Sequence, residues 1–268
     1  MASMDHGLKT LYAVPREFQL MKAVPLLYHD VVPAGQFQSS GFLGGDADVY
    51  KLDRDEFRRH LDAISKTNPE VLLTFDDGGL SFYDCIAPEL EQRGWRGYFF
   101  IATNWIAEPG FVNASQIFQL RQRGHLIGTH SCSHPARISH CSFEQIVEEW
   151  SRSAAILAGI LGVPVQMASV PGGYYTHKVA KAAAVAGIRT LFTSEPTLKC
   201  HRVDTCVVVG RFTVQRGTSA ARAAALAQAS ALPVLQQSAY WNAKKVLKFV
   251  GGTRWLKLRQ RMLSQQKM

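Results

Sequence analysis

Seven short apolar runs, at 24–28, 71–75, 97–102, 125–129, 165–170, 188–193 and 206–210, are separated by stretches of helical apolar spacing at 55–66, 84–93, 114–123, 142–161 and 176–186. A strand followed by a helix returns to the sheet as a parallel neighbour, so this alternation predicts an α/β fold with parallel strands. A chain of 268 residues with 47% hydrophobic content can bury one large core, and barrels of about this size are routinely single domains. No internal repeat, low-complexity tract or long linker interrupts the pattern. The longest loop, Val32 to Lys51, is rich in Gly and Ser and is expected to overhang the groove.

Two of these strands end in residues that carry chemistry. Thr74-Phe75-Asp76-Asp77-Gly78 closes one run with adjacent carboxylates. Where a strand breaks into a loop, both acids can turn toward one pocket, one to hold a metal and one to handle a proton, with Gly78 and Gly79 allowing the turn. The alternative is an ordinary turn bearing two solvated acids. The strand Gly124 to Thr129 leads into His130-Ser131-Cys132-Ser133-His134. On a helical turn, residues four apart share a face about 6 Å apart, close enough to hold one divalent ion. With Asp77 this makes two nitrogens and one oxygen, which leaves positions open for water and substrate. Cys132 would face away and reads as packing, His125 as holding backbone, His60 as solvated, and His201 beside Cys200 lacks any ordered partner signal.

These ordered motifs resemble the polysaccharide deacetylase family, the carbohydrate esterases with a NodB-type domain, from about Val24 to Thr218. The resemblance implies a distorted (β/α) barrel of about seven parallel strands, with domain boundaries at 1–21 for an N-terminal extension, 22–234 for the barrel and 235–268 for a basic tail. It implies a metal-dependent hydrolase that removes the N-acetyl group from an amino sugar, with Asp76 as base and Asp77, His130 and His134 as metal ligands. Val170-Pro171-Gly172-Gly173-Tyr174 would then line the groove and offer a backbone N–H to the oxyanion. Zn²⁺ suits such a ligand set, and Co²⁺, Ni²⁺ or Fe²⁺ also fit it.

The chain departs from the family pattern in two places. Ser169 stands where the family usually carries an Arg two residues before the proline, and Arg211 is either the replacement cation near Asp76 or a plain surface Arg. The usual C-terminal Leu-x-His motif is also missing, since no His follows His201. Val24 to Asp30, an apolar strand ending in His29-Asp30, looks like that motif displaced to the N-terminus. A barrel brings its first and last strands together, so the site would survive the rearrangement. Deacetylases acting on poly-β-1,6-linked N-acetylglucosamine are similar in this order and in lacking the proline-loop Arg. By that resemblance His29 is the general acid, with Asp30 a candidate for fixing its tautomer; the alternative is that His29 satisfies a hydrogen bond at the strand end. A carbohydrate-binding relative that kept the metal groove but lost turnover is the competing function.

Five cysteines, no run of ~18 apolar residues, and no long apolar core in Met1 to Gln19 lead to the expectation of a cytoplasmic protein, with Met21-Lys22 as a native-like start. Its substrate would then be an N-acetylated sugar, oligosaccharide, or lipid- or nucleotide-linked glycan precursor. After Asp204 there are eleven Lys or Arg and no acid; against a total of +9, the first 204 residues carry about −2. Aromatic and aliphatic residues interleave with these cations between Tyr240 and Met262, the pattern of two short amphipathic helices. They would dock on the barrel or lie on an anionic membrane surface, where each basic residue contributes about 1 kcal/mol. No nucleic-acid partner is expected, because no recognised binding module accompanies the charge.

Overall fold

A computed structural model describes residues 23–67 and 71–243. Its main sheet is built from β1 (Val24–Tyr28), β4 (Val71–Phe75), β5 (Gly97–Ile101), β6 (Leu126–Thr129), β7 (Met167–Ser169), β8 (Thr190–Phe192), β9 (His201–Val203), β10 (Cys206–Val209) and β11 (Phe212–Thr213). The spatial order is β11-β1-β4-β5-β6-β7-β8-β10-β9. All pairings are parallel except β9 with β10. β10 pairs with β8 and β11, three residues later, pairs with β1, so one short segment reaches both ends of the sheet. The sheet is thereby curled into a distorted (β/α) barrel. Two minor strands, β2 (Val31–Val32) and β3 (Leu52–Asp53), bracket the long loop, which also contains a helical turn at Gly45–Asp48.

The helices are α1 (Arg54–Ser65), α2 (Ala87–Glu91), α3 (Ala114–Gln122), α4 (Phe143–Leu161), α5 (His177–Val185) and α6 (Ala220–Ala227). Except at α2, their starts are set by side chains that satisfy the otherwise orphaned first N–H groups. Asp53 accepts from the Glu56 N–H, Thr176 from Val179 and Ser219 from Arg222, while Asn113 with Gln116 and Ser142 with Gln145 form capping boxes. A π-helical turn, Phe82–Ile86, leads into α2, where the sequence pattern predicts one helix over 84–93. Helix α6, which packs on α1, was not anticipated: an almost pure Ala run carries little periodicity.

Two buried clusters join strands to the covering helices, one including Phe57, Phe75, Phe99 and Leu226, the other Trp150, Val179 and Leu191. A third, Tyr98, Phe100, Met167, Phe192, Val207 and Val209, is drawn from strands alone and fills the inner face of the curled sheet. Residues 231–243 are helical and lie on the barrel: Gln237 Nε2 donates to the Thr213 carbonyl at 2.7 Å and Ser238 Oγ to the Pro196 carbonyl at 2.8 Å. The rest of the expected amphipathic tail and the N-terminal extension lie outside the described residues. Among the described residues no helix is long and apolar enough to cross a membrane.

Candidate active site

Strand register decides which residues share the open rim. Tyr28 lies opposite Phe75, Ile101 opposite Thr129, and Ser169 opposite Phe192, which lies opposite Val209. The residues just beyond these pairs, His29, Asp76, His130, Val170, Thr193 and Gly210, with Arg211 following Gly210, therefore crowd one end of the barrel, the C-terminal end where parallel strands present binding groups.

Asp77 has φ 88°, a left-handed conformation uncommon for a non-glycine residue and found where a site fixes the backbone. Gly78, at φ 94°, continues the turn. Gly79 serves a different purpose, since a Cβ there would stand 1.9 Å from Asp30 Oδ1. The turn aims Asp77 Oδ1 at His130 Nε2, 3.3 Å away, and at His134 Nε2, 3.4 Å away. One donor atom from each of the three residues lies within 4.8 Å of the others. The two histidines do not sit on a helical turn as their spacing suggests. They flank an irregular bend after β6, with φ 68° at Ser131 and φ 54° at His134, because Glu149 on α4 captures the loop. Its carboxylate accepts from the N–H groups of Cys132 and Ser133 at 2.8 and 2.9 Å and from Ser133 Oγ at 2.6 Å.

The donor set suits a divalent cation. His130 donates from Nδ1 to the Ser169 carbonyl at 2.9 Å, which fixes its tautomer and leaves the Nε2 lone pair facing Asp77. Burial alone would lower the His130 pKa, but Asp76 and Asp77 outweigh it and raise the ring's affinity for positive charge. Burial likewise opposes the charge on Asp77, yet His130 and His134 hold its carboxyl well below the usual range.

Asp76 is held differently. Arg211 donates Nη1 to Oδ1 at 2.8 Å and Nη2 to Oδ2 at 2.7 Å, a bidentate pair in which the guanidinium is fully buried. Ser169 Oγ donates to the same Oδ2 at 2.9 Å and accepts from Arg211 Nη2 at 2.6 Å. Thr193 and Thr74 take the remaining guanidinium bonds, at 3.0 and 3.1 Å. Arg211 is thus no surface residue, and Ser169 occupies the place of the absent proline-loop Arg as a bridge to a cation from another strand. Burial disfavours the Asp76 charge, but Arg211 first and His130 next hold its carboxyl below the usual range.

His29 adjoins Asp76 across the β1–β4 pair, and its ring packs on Tyr50 with centroids 4.6 Å apart. Burial lowers its pKa against the opposing pull of Asp77 and Asp76. Its buried Nδ1 has no hydrogen-bond partner among the described residues. Asp30 does not fix its tautomer: that carboxylate turns the other way along the strand and accepts from Ser40 Oγ at 2.5 Å and Ser81 Oγ at 2.8 Å. Asp30 instead ties the 33–51 loop to the turn after Asp77.

Pro171–Gly173 forms a 3₁₀ turn with φ 64° and 70° at its glycines; a Cβ on Gly172 would lie 3.0 Å from the Ala136 carbonyl. Arg137 lies over the ring of the next residue, Tyr174, 5.6 Å from its centroid. Of the other histidines, His125 accepts from the Gly97 N–H at 3.0 Å, holding backbone as expected. His60 is not solvated but buried, with Nε2 2.6 Å from the Thr218 carbonyl, because its face of α1 turns inward against Tyr28. His201 does have a partner, Tyr175 Oη at 2.9 Å, brought to it by the β9–β10 hairpin. Cys132 is buried beside Thr103 Oγ1. Sequence reasoning passed over Glu149 and Tyr50, and over Phe42, whose ring packs on His134 with centroids 4.8 Å apart and meets Trp105 at 4.8 Å.

Residues 63–191 match the family model for polysaccharide deacetylase. The chain is 26% identical to YxkH of Bacillus subtilis (strain 168) over 179 residues, 64% of each protein. It is 32% identical to the chitin deacetylase of Colletotrichum lindemuthianum over 95 residues, 35% of this chain and 38% of that one. The alignments thus span less than two thirds of the length of these relatives. The fold is similar to that of IcaB from Ammonifex degensii, with a TM-score of 0.62 at 23% identity over 76% of this chain and 96% of that one. It is also similar to the Streptococcus pyogenes deacetylase PplD, with a TM-score of 0.61 at 18% identity over 74% and 95%.

Proposed function

We propose that the chain belongs to the polysaccharide deacetylase family and is a metal-dependent hydrolase releasing acetate from an N-acetylated amino sugar. The observation that carries this reading is the convergence on one barrel rim of an Asp77–His130–His134 donor set with a second carboxylate, Asp76, locked in place by Arg211. Asp77, His130 and His134 would hold the ion; Zn²⁺ suits two imidazoles and a carboxylate. When bound, a divalent cation supplies the positive charge that polarises an acetamide carbonyl and acidifies water.

The remaining work falls to the chain's own groups. Asp76 accepts the proton of the attacking water. Oδ2, the oxygen 4.0 Å from His130 Nε2, is the one nearer the ligand cluster. The Arg211 fork and Ser169 fix that carboxylate and keep it charged, which stops it from wandering or taking a proton too early. The 170–174 turn offers backbone N–H groups to the tetrahedral oxyanion. His29 then protonates the departing amine, since an amide anion is too basic to leave unaided, and such an acid is worth typically 10²–10⁴-fold. An imidazole whose pKa is lowered is a strong donor once protonated and a scarce one at neutral pH. A strand shifted from the family's C-terminal end to its N-terminal end would account for an acid directly after β1.

The absent proline-loop Arg was the main support for a non-catalytic carbohydrate binder, and Arg211 makes the contact that such an Arg would make. The test is acetate release from a panel of N-acetylated sugars, free, oligomeric, lipid-linked and nucleotide-linked. Release from none of them with one equivalent of metal bound would defeat the reading.

A further inference from the structure

We propose that Arg137 and Arg216 are anion-binding positions flanking the reaction centre, so that the substrate is an acidic glycan whose acetylated sugar lies between carboxylate-bearing neighbours. The proposal rests on the N-deacetylase reading above and extends it to the charge of the substrate. The sheet order β11-β1-β4-β5-β6 sets the places. Arg216 lies in the loop after β11, His29 after β1, Asp76 and Asp77 after β4, and His130, His134 and Arg137 after β6. The two arginine-bearing loops therefore stand at either end of the arc of rim that holds the candidate site.

Each arginine is laid on an aromatic ring. Arg216 covers the Phe37 ring, 4.4 Å from its centroid, and Arg137 lies over Tyr174 at 5.6 Å. Among the described residues neither guanidinium makes a hydrogen bond or an ion pair, and both reach solvent, Arg216 exposed and Arg137 half-buried. Their supports are fixed. Lys51, itself buried, donates Nζ to the Phe37 carbonyl at 2.6 Å, and the Arg216 N–H donates to the Val49 carbonyl at 3.0 Å, next to the Tyr50 ring that packs on His29. Arg137 follows the candidate ligand His134 by three residues, and the Ala136 carbonyl sits close against Gly172 in the turn that carries Tyr174. A guanidinium stacked on a ring keeps its N–H edge free, and that planar fork fits a carboxylate through two parallel bonds.

The acids nearby are engaged elsewhere. No Asp or Glu occurs between Glu108 and Glu144, between Glu149 and Glu195, or after Asp204, so the rim loops after β6, β7 and β11 have no carboxylate of their own. Glu149, which pins the Arg137 loop, is committed to Cys132 and Ser133, and Glu56, beside the Arg216 loop, accepts from the Gly217 N–H at 2.6 Å. Phosphate is the other source of negative charge on a sugar. Linked to the anomeric carbon it lies on one side of the ring only and would engage one of the two arginines, whereas a polymer with alternating acids presents a carboxylate to each.

The experiment uses the full chain loaded with one equivalent of Zn²⁺. Its ligands are hexamers of alternating glucuronate and N-acetylglucosamine in two linkages, β-1,3/β-1,4 and β-1,4/α-1,4, each also in its neutral, carboxyl-reduced form, and the uridine-diphosphate-linked sugar. Calorimetry reads affinity and acetate release reads turnover. On at least one backbone the parent should bind the acidic hexamer about 10-fold more tightly than the reduced one, and that ratio should fall as NaCl rises from about 50 to about 300 mM. Arg137→Gln and Arg216→Gln, shown to be folded by circular dichroism, should each cut the ratio about threefold, and the double variant should bring it close to one. A parent ratio near one on both backbones, no binding of either acidic hexamer, or a ratio that either substitution leaves unchanged would overturn the flanking anion positions; acetate release in any of these cases leaves the deacetylase reading intact. The expected ratios without acetate release from any ligand would keep the anion positions and defeat that reading. A parent that prefers the uridine-diphosphate-linked sugar, with the preference lost in only one of the two variants, would assign the charge to a carrier phosphate and overturn the acidic glycan.

Discussion

Replacing Arg211 by Met keeps most of the side-chain volume but strips from Asp76 the guanidinium that donates to both of its oxygens, leaving only the more distant His130 ring. The wild-type group makes two bonds to Asp76 and one each to Ser169, Thr193 and Thr74, all out of reach of solvent. Breaking such a buried pair from one side costs about 3–5 kcal/mol, because the partner is left charged and unpaired. For a domain of this size that corresponds to a drop of about 10 °C in Tm. The loss should depend on pH in a definite direction. In the parent, Asp76 titrates below its ordinary value, so its contribution is present above that value and lost as pH falls through the depressed one. In the variant, burial dominates and raises the Asp76 pKa, so stability there declines as pH rises above about 4. The gap between the two proteins should therefore be narrow near pH 4 and wide near pH 7, with a pH-independent remainder from the Thr193 and Thr74 bonds. Urea unfolding across that range measures it. Adding Asp76→Asn to Arg211→Met should recover most of the loss. A double variant no more stable than Arg211→Met, or a gap that does not vary with pH, would refute the account of how Asp76 is held.

His134→Ala should abolish stoichiometric divalent metal in a chain that remains folded; full metal content measured by atomic emission would place the site elsewhere. Glu149→Gln weakens the clamp on the Cys132–Ser133 bend and should loosen metal binding by about 10-fold, the lower end for lost outer contacts, as read by competition with a chromophoric chelator. His60 is buried neutral, its pKa lowered by desolvation, so the unfolded chain binds more protons below about pH 6.5 and stability falls as pH drops from there toward the folded value. His60→Gln should flatten that limb of the urea midpoint between pH 7.5 and 5.5; an unaltered slope would show that His60 is protonated when folded. Gly79→Ala should lower the urea midpoint markedly, since its Cβ would overlap the Asp30 carboxylate and part the two loops that Asp30 joins.

What was legible in the sequence is what short-range pattern controls. Strand runs show in their apolar content, and Asp76, Asp77, His130 and His134 show because each lies at a strand's C-terminal end, where a parallel barrel must present its chemistry. Arg211 was visible as a charge closing an apolar strand, although only the curl of the sheet, which brings β11 beside β1, decides between a buried partner for Asp76 and a surface residue. The conformation of the His130–His134 segment was misread because spacing alone cannot distinguish a helical turn from a bend pinned by a distant acid. Glu149 reads as one more polar residue on an amphipathic helix. His60 and Asp30 were misassigned for a related reason: a polar residue on a helix or at a strand end gives no sign of which layer it faces until packing is known. Tyr50, Phe42 and Trp105 lie in loops without periodicity, and their meeting with His29 and His134 depends on tertiary contacts such as Gly41 with Gly110.

The central claim is that Asp76 acts as a base beside a cation bound by its neighbour, and one comparison tests it most directly. Acetate release from N-acetylglucosamine oligomers is followed for the parent and for Asp76→Asn, each at one equivalent of Zn²⁺ confirmed by metal analysis. The account predicts equal metal content and a turnover reduced by at least ~10²-fold in the variant, the scale of losing one general base. Turnover near that of the parent, with metal fully bound, would contradict it.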